Sequence, residues 1–193
     1  RAEHSLARID DPAAALRGAR LRGLAHMSRG EYALAVRTHI ECLTLAEQAG
    51  DENSWLMSSQ IMASLHVVWA AHSRAEEVLV SLLTAADQKG VLHFVRSARL
   101  TQAALWLRRG QLASAQAALH GVRGADVADP MLDLQRRSLL ARLSQGQGDV
   151  AGAYDIVVEA ARKHASLSNP APALLEARYA LADICLRLHE QGH

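Results

Sequence analysis

The chain of 193 residues is poor in aromatic side chains, with three tryptophans, three tyrosines and one phenylalanine. A sheet protein draws heavily on aromatic and β-branched residues, so this shortage argues against strands. Alanine and leucine dominate the hydrophobic half of the composition instead, and both are strong helix formers. Proline occurs four times, and three of those follow Asp or Asn, as Asp11-Pro12, Asp129-Pro130 and Asn169-Pro170. That pairing is a helix start, with a capping side chain ahead of a first-turn proline. The composition predicts an all-α protein.

Cysteine is almost absent. Cys42 and Cys185 stand far apart, each inside an apolar helical pattern. A disulfide framework is excluded, and two buried free thiols of a reducing compartment are expected. No run reaches the roughly 18 apolar residues of a membrane span, and no secretory leader opens the chain; a cytoplasmic, membrane-free protein is the expectation. Charge of one sign is missing as well, because 21 basic and 20 acidic residues leave a formal charge of +1. Without a concentrated basic surface, direct nucleic-acid binding is not expected. Only Lys89 and Lys163 among the basic residues are lysine, and this arginine and alanine bias is associated with GC-rich, bacterial coding sequences.

What the chain does have is punctuation. Gly30, Gly50, Gly90, Gly110, Gly148 and Gly192 fall where apolar periodicity ends, as glycine tolerates the left-handed residue that closes a helix. Ser73 and Glu76 have the spacing of a capping box. These signals predict helices over 12–29, 31–49, 52–71, 74–89, 91–109, 111–122, 130–147, 149–168 and 170–191, with a further short one at 2–9. Short joints imply antiparallel neighbours. The stretch from Gly121 to Asp129 is the single loose joint.

The period then organises the helices. Gly50 and Gly90 lie 40 residues apart, Gly110 and Gly148 lie 38 apart, and the pattern at the inner turn returns. It reads Gly30-Glu31-Tyr32-Ala33-Leu34-Ala35, Gly110-Gln111-Leu112-Ala113-Ser114-Ala115 and Gly148-Asp149-Val150-Ala151-Gly152-Ala153. Glycine closes the first helix, the apolar residue fills the wedge, and alanine lets the two helices approach. A second unit with His72-Ser73 at its turn is expected to use the capping box instead. The repeat units are 12–50, 51–90, 91–129 and 130–169, with a partial unit at 170–193.

With Gly23 in a first helix, Gly30 and Tyr32 at the turn, Ala35 in the second helix, and Ala103, Trp106 and Ala141 in later first helices, the sequence resembles the tetratricopeptide repeat family. The ending Leu45-Ala46-Glu47-Gln48-Ala49-Gly50-Asp51 is similar to the longer repeats of bacterial signalling proteins. His39 departs from the family by standing where an aromatic residue is usual, and the second unit lacks both glycine and tyrosine. The resemblance spans about 12–192 and implies an α-solenoid, helix pairs stacked in a right-handed superhelix. It also implies a scaffold or sensory region of a longer bacterial regulator, beside an output domain such as a diguanylate cyclase or a DNA-binding module. The chain opens at Arg1 in apparent mid-helix, as a piece of a longer protein would.

Such a fold lines its concave wall with first helices. Taking Gly30, His72, Gly110 and Gly148 as equivalent turns, the groove-facing candidates are Arg20, Met27, Ser59, His66, Gln135, Arg142 and Gln145. Arg20 and Arg142 suit acidic side chains or a peptide carboxylate. Trp55, Met62, His66 and Trp69 share one face of 52–71, read either as repeat packing or as an aromatic ligand anchor. His66 is the histidine whose titration is worth testing. Arg108-Arg109 and Arg136-Arg137 read as solvated faces. The expected partner is a peptide, a protein segment or a small signalling ligand, and no cofactor is expected. Self-association is the alternative, because Leu181, Ile184 and Leu188 would leave a terminal apolar face. A literal His189-Glu190-Gln191-Gly192-His193 has the spacing of a zinc protease. It straddles a predicted turn, however, and is read as coincidence, so no catalytic centre is expected.

Overall fold

A computed structural model describes residues 11–122 and 129–163, with Leu186 alone beyond them. Among the described residues there are eight helices and no strand. They are α1 (Pro12–Ser28), α2 (Tyr32–Ala49), α3 (Glu52–Val68), α4 (His72–Gln88), α5 (Leu92–Arg108), α6 (Leu112–His120), α7 (Pro130–Gly146) and α8 (Val150–Lys163). The expected all-α architecture is therefore present, as consecutive antiparallel helix pairs. The chain forms two compact units, Arg1–Ala98 and Arg99–His193, the second beginning within α5. In the first unit α2 packs on α1 and on α3, and α3 on α4. In the second, α6 packs on α7 and α7 on α8. The predicted helices at 2–9 and 170–191, the Asn169-Pro170 cap, Cys185, the apolar face of Leu181, Ile184 and Leu188, and the His189 to His193 motif lie outside the described residues, as does most of the loose joint.

Helix length is set by a backbone event that recurs every 20 residues. Gly30, Gly50, Ala70, Gly90 and Gly110 all have positive φ, between 57° and 71°, and Gly148 follows at 89°. Each closes its helix with the same pair of bonds. At Gly30 the N–H of Glu31 donates to the carbonyl of His26 (2.9 Å) and that of Gly30 to Met27 (3.1 Å). At position 70 the N–H of Ala71 donates to His66 (2.9 Å) and that of Ala70 to Val67 (3.3 Å). These are Schellman closures, which satisfy carbonyls the helix itself leaves unbonded. No atom would crowd a Cβ at the five glycines, so conformation alone demands glycine there.

The second unit of the repeat is thus more regular than its sequence suggests. Its turn residue is Ala70, and His72 stands in the register of Tyr32, correcting the equivalence drawn through His72. Nor does Ser73 cap α4, which starts two residues earlier than predicted, at His72, without a side-chain cap. The two described Asp-Pro starts are capped as expected, Asp11 accepting from Ala13 N–H at 2.9 Å and Asp129 from Met131 N–H at 2.8 Å. Asp51, not read as a cap in the sequence, does the same for α3, accepting from Ser54 N–H at 3.0 Å.

Within each pair, a small residue on the first helix faces a larger one on the second. The pairs in equivalent register are Gly23 and His39, Ala63 and Leu79, Ala103 and Leu119, and Ala141 and Val157, and all eight are buried. Direct packing is seen in the cluster holding Ala103 and Leu119, and in that holding Ala141 and Val157. In the first pair the larger partner is an imidazole, and it needs the extra room. A Cβ placed on Gly23 would meet His39 Nε2 at 2.8 Å. Both ring nitrogens of His39 are buried with no hydrogen-bond partner among the described residues, a cost of about 1–3 kcal/mol for each unpaired group.

Two outcomes follow for stability. Ala70→Gly relieves a left-handed alanine, a strain of roughly 1–2 kcal/mol. Greater freedom of the unfolded glycine offsets part of this, so chemical denaturation should show a gain of about 1 kcal/mol or slightly less. Gly23→Ala alone should destabilise by about 1 kcal/mol, because overpacking outweighs the better helix former. Combined with His39→Leu it recreates the pairing of the later repeats, and the double variant should be at least as stable as the parent. Strict additivity of the two changes would contradict the contact.

Candidate functional site

The residues expected to line a groove divide sharply by burial. Ser59, Met62 and His66 on α3 are buried, at 3%, 7% and 2% exposure, and cannot touch a ligand directly. The reason is that α3 packs against both α2 and α4, which leaves little free face. Trp55 and Trp69 are likewise not parts of one anchor. Trp55 packs on the cluster of Leu16, Ala19, Cys42 and Ala46 near the outer turn. Trp69 lies past the end of α3, half exposed and stacked on Tyr32 with ring centroids 4.9 Å apart. Met27 is half-buried at the end of α1. Arg20 reaches across to α3, its Nη2 2.7 Å from the Met57 sulfur.

His66 is held as a neutral core histidine. The Tyr32 hydroxyl shares a 2.6 Å hydrogen bond with its Nδ1. Burial first, then the Arg74 guanidinium, pulls its pKa below the ordinary value of 6.5, with Glu77 opposing. Burial, reinforced by Arg20, lowers His39 in the same direction. One repeat earlier than His66, the register places His26, whose Nδ1 lies 2.5 Å from Glu31 Oε2 at the partly exposed inner turn.

In the second unit two of the expected residues do come together. Arg142 and Gln145 of α7 line a cleft of about 480 Å³ with Leu107 and Arg108 of α5, Gly110, Leu112 of α6, and Gly146. The cleft sits where the first helices of consecutive pairs end beside the intervening turn. Gly146 makes room for its wall, since a Cβ there would meet Leu112 Cδ2 at 2.9 Å. Leu107 and Leu112 supply the apolar surface, and the guanidinium groups of Arg108 and Arg142 the charge. Neither guanidinium has a carboxylate partner among the described residues. Gln135, half-buried on α7, is not part of the lining.

Arg108 is exposed, as the solvated-face reading of its doublet expects, but it also lines the cleft, which the sequence does not reveal. Arg109 instead stacks on Trp106 at 5.4 Å and leaves Arg108 at the cleft. Both members of the other doublet are partly buried and bonded, against the solvated-face reading. Arg136 Nε donates to the Val122 carbonyl at 2.6 Å. Arg137 reaches the buried Asp133 at 3.1 Å and Glu159 at 2.9 Å, and Lys163 closes on Asp133 at 2.8 Å. This network ties α7 to α8 and supports the helix that carries Arg142. No protein-family model matches the sequence, and no curated protein matches it either. Among the described residues no cluster of three metal-ligating side chains occurs.

The lowered histidines give stability a pH dependence of definite sign. A ring with a depressed folded pKa is kept neutral by the fold, while the unfolded chain protonates near 6.5. Stability is complete above that value and falls as pH drops below it, by at most about 1.4 kcal/mol per pH unit for each ring. Unfolding midpoints measured from pH 7.5 to 5 should decline, and His39→Leu should flatten part of that decline.

Proposed function

We propose that the chain is a non-catalytic binding module of the tetratricopeptide-repeat type, which recognises an acidic peptide or protein segment. The observation that supports this best is the cleft with two guanidinium groups, Arg108 and Arg142, that have no carboxylate partner among the described residues. A pair of arginines facing an open, partly apolar cleft is suited to a carboxylate, because guanidinium and carboxylate can form two parallel hydrogen bonds. Leu107 and Leu112 would cover an apolar side chain next to that carboxylate. The helix-pair architecture supports the reading too, since repeats of this kind present extended binding surfaces.

In this reading the module is the regulatory part of a cytoplasmic bacterial signalling protein, such as a diguanylate cyclase or a transcriptional regulator. Its mechanism is recognition without chemistry. Binding would hold the ends of α5 and α7 at one spacing, and the change would pass through the helix pairs to whatever they are joined to. The Arg137–Asp133–Lys163 network stiffens α7 for that task.

Screening the protein against peptides ending in acidic residues, by fluorescence polarisation, tests the proposal. Binders should weaken tenfold or more in Arg142→Ala, as expected from about 1.5–3 kcal/mol for a charged hydrogen bond. They should weaken again in the Arg108→Ala double variant and with added salt. Binders indifferent to both arginines would overturn the assignment of the cleft.

A further inference from the structure

The first unit carries a second cleft, of about 270 Å³, at its outer turns. It is independent of the arginine-lined cleft and opposite to it in charge. One wall is the Trp55 indole, and its position is fixed from two sides. Its body packs on the Leu16, Ala19, Cys42 and Ala46 cluster, and its Nε1–H donates to Glu47 Oε1 at 3.1 Å. The rim holds the carboxylates of Glu47, Asp51 and Glu52 and the ammonium of Lys89.

These acids differ in what else they do. Asp51 is committed to folding, accepting from the N–H and hydroxyl of Ser54 at the start of α3. Glu47 holds the Trp55 indole and Glu52 pairs with Lys89, and both keep carboxylate oxygen at the cleft as net negative charge beside one cation. That cation is informative. Lys89, arriving from the end of α4, places its amino group on Glu52. Both partners are well exposed, at 37% and 65% of the side chain, so water and ions compete freely for this pair. An ammonium is thus already received at the mouth of a cleft whose wall is an indole, an apolar surface that suits the alkyl part of an organic cation.

We propose that this cleft binds an organic cation, an alkylguanidinium or alkylammonium group, with its alkyl part against Trp55 and its charge between Glu47 and Glu52. Lys89 acts as an internal competitor that the ligand displaces. The group is supplied either by a free small molecule or by an arginine or lysine side chain of a peptide.

The test follows the Trp55 indole N–H resonance of the ¹⁵N-labelled protein, assigned by its loss in Trp55→Phe. Butylguanidinium should shift it saturably, whereas butylurea, of similar shape but neutral, should not. Lys89→Ala should tighten binding at least threefold by removing the competitor, and Glu52→Gln should weaken it by a similar factor. Both substitutions are at exposed positions, and an unchanged spectrum elsewhere verifies the fold. A capped Gly-Arg-Gly peptide binding tighter than butylguanidinium marks a peptide side chain as the source, and weaker binding marks a free cation. The proposal is overturned by an absent or non-saturable shift, by an equal response to butylurea, or by a binding constant that Lys89→Ala leaves unchanged.

Discussion

The left-handed residue that ends each helix is the constraint on which the rest of this structure depends. From position 30 to position 110 it recurs at intervals of 20, and every other feature keeps its register. Because the turn comes at a constant interval, small residues of the first helices meet large residues of the second at the same height. Ala35, Ala75, Ala115 and Ala153 are all fully buried just past the inner turns, where two helices must approach most closely. Moving one turn by one residue would rotate the following helix by about 100° and bring polar positions into the core.

Most of this was legible in the sequence, because a glycine placed where apolar periodicity stops is the usual closing residue of a helix. The closing glycines, the aspartate caps before proline and the alanines past each turn all come from local rules of backbone geometry. Position 70 was not legible, because alanine carries no mark of the left-handed conformation it adopts there. His72 and Ser73 then drew attention as polar residues near a turn. Gly23 could be noticed in its helix, but its reason, the His39 ring against it, belongs to packing between helices and not to either helix alone.

The candidate site was legible only in part. Helical spacing on α7 suffices to put Arg142 and Gln145 on one face, and they do meet at a cleft. Arg108 depended on which of two adjacent arginines Trp106 would take, a choice made in three dimensions. On α3 the same spacing argument failed. An amphipathic stripe cannot distinguish a face lining a groove from a face covered by the next helix, and Ser59, Met62 and His66 proved to be covered. The two clefts also differ in kind. One offers guanidinium groups without a carboxylate partner among the described residues, whereas the other holds an ammonium of its own, so their ligands are expected to carry opposite charge.

The regularity of the repeat is tested hardest at the turn where glycine is missing. Backbone chemical shifts and the amide–Hα coupling across residues 66–74 measure it directly. A break in helical shifts at 69–71, with Ala70 in the left-handed region, is the result that a 20-residue turn requires. Uninterrupted right-handed helical shifts from α3 into α4 would contradict it, because the turn and the pairing built on it would then be absent from the second repeat.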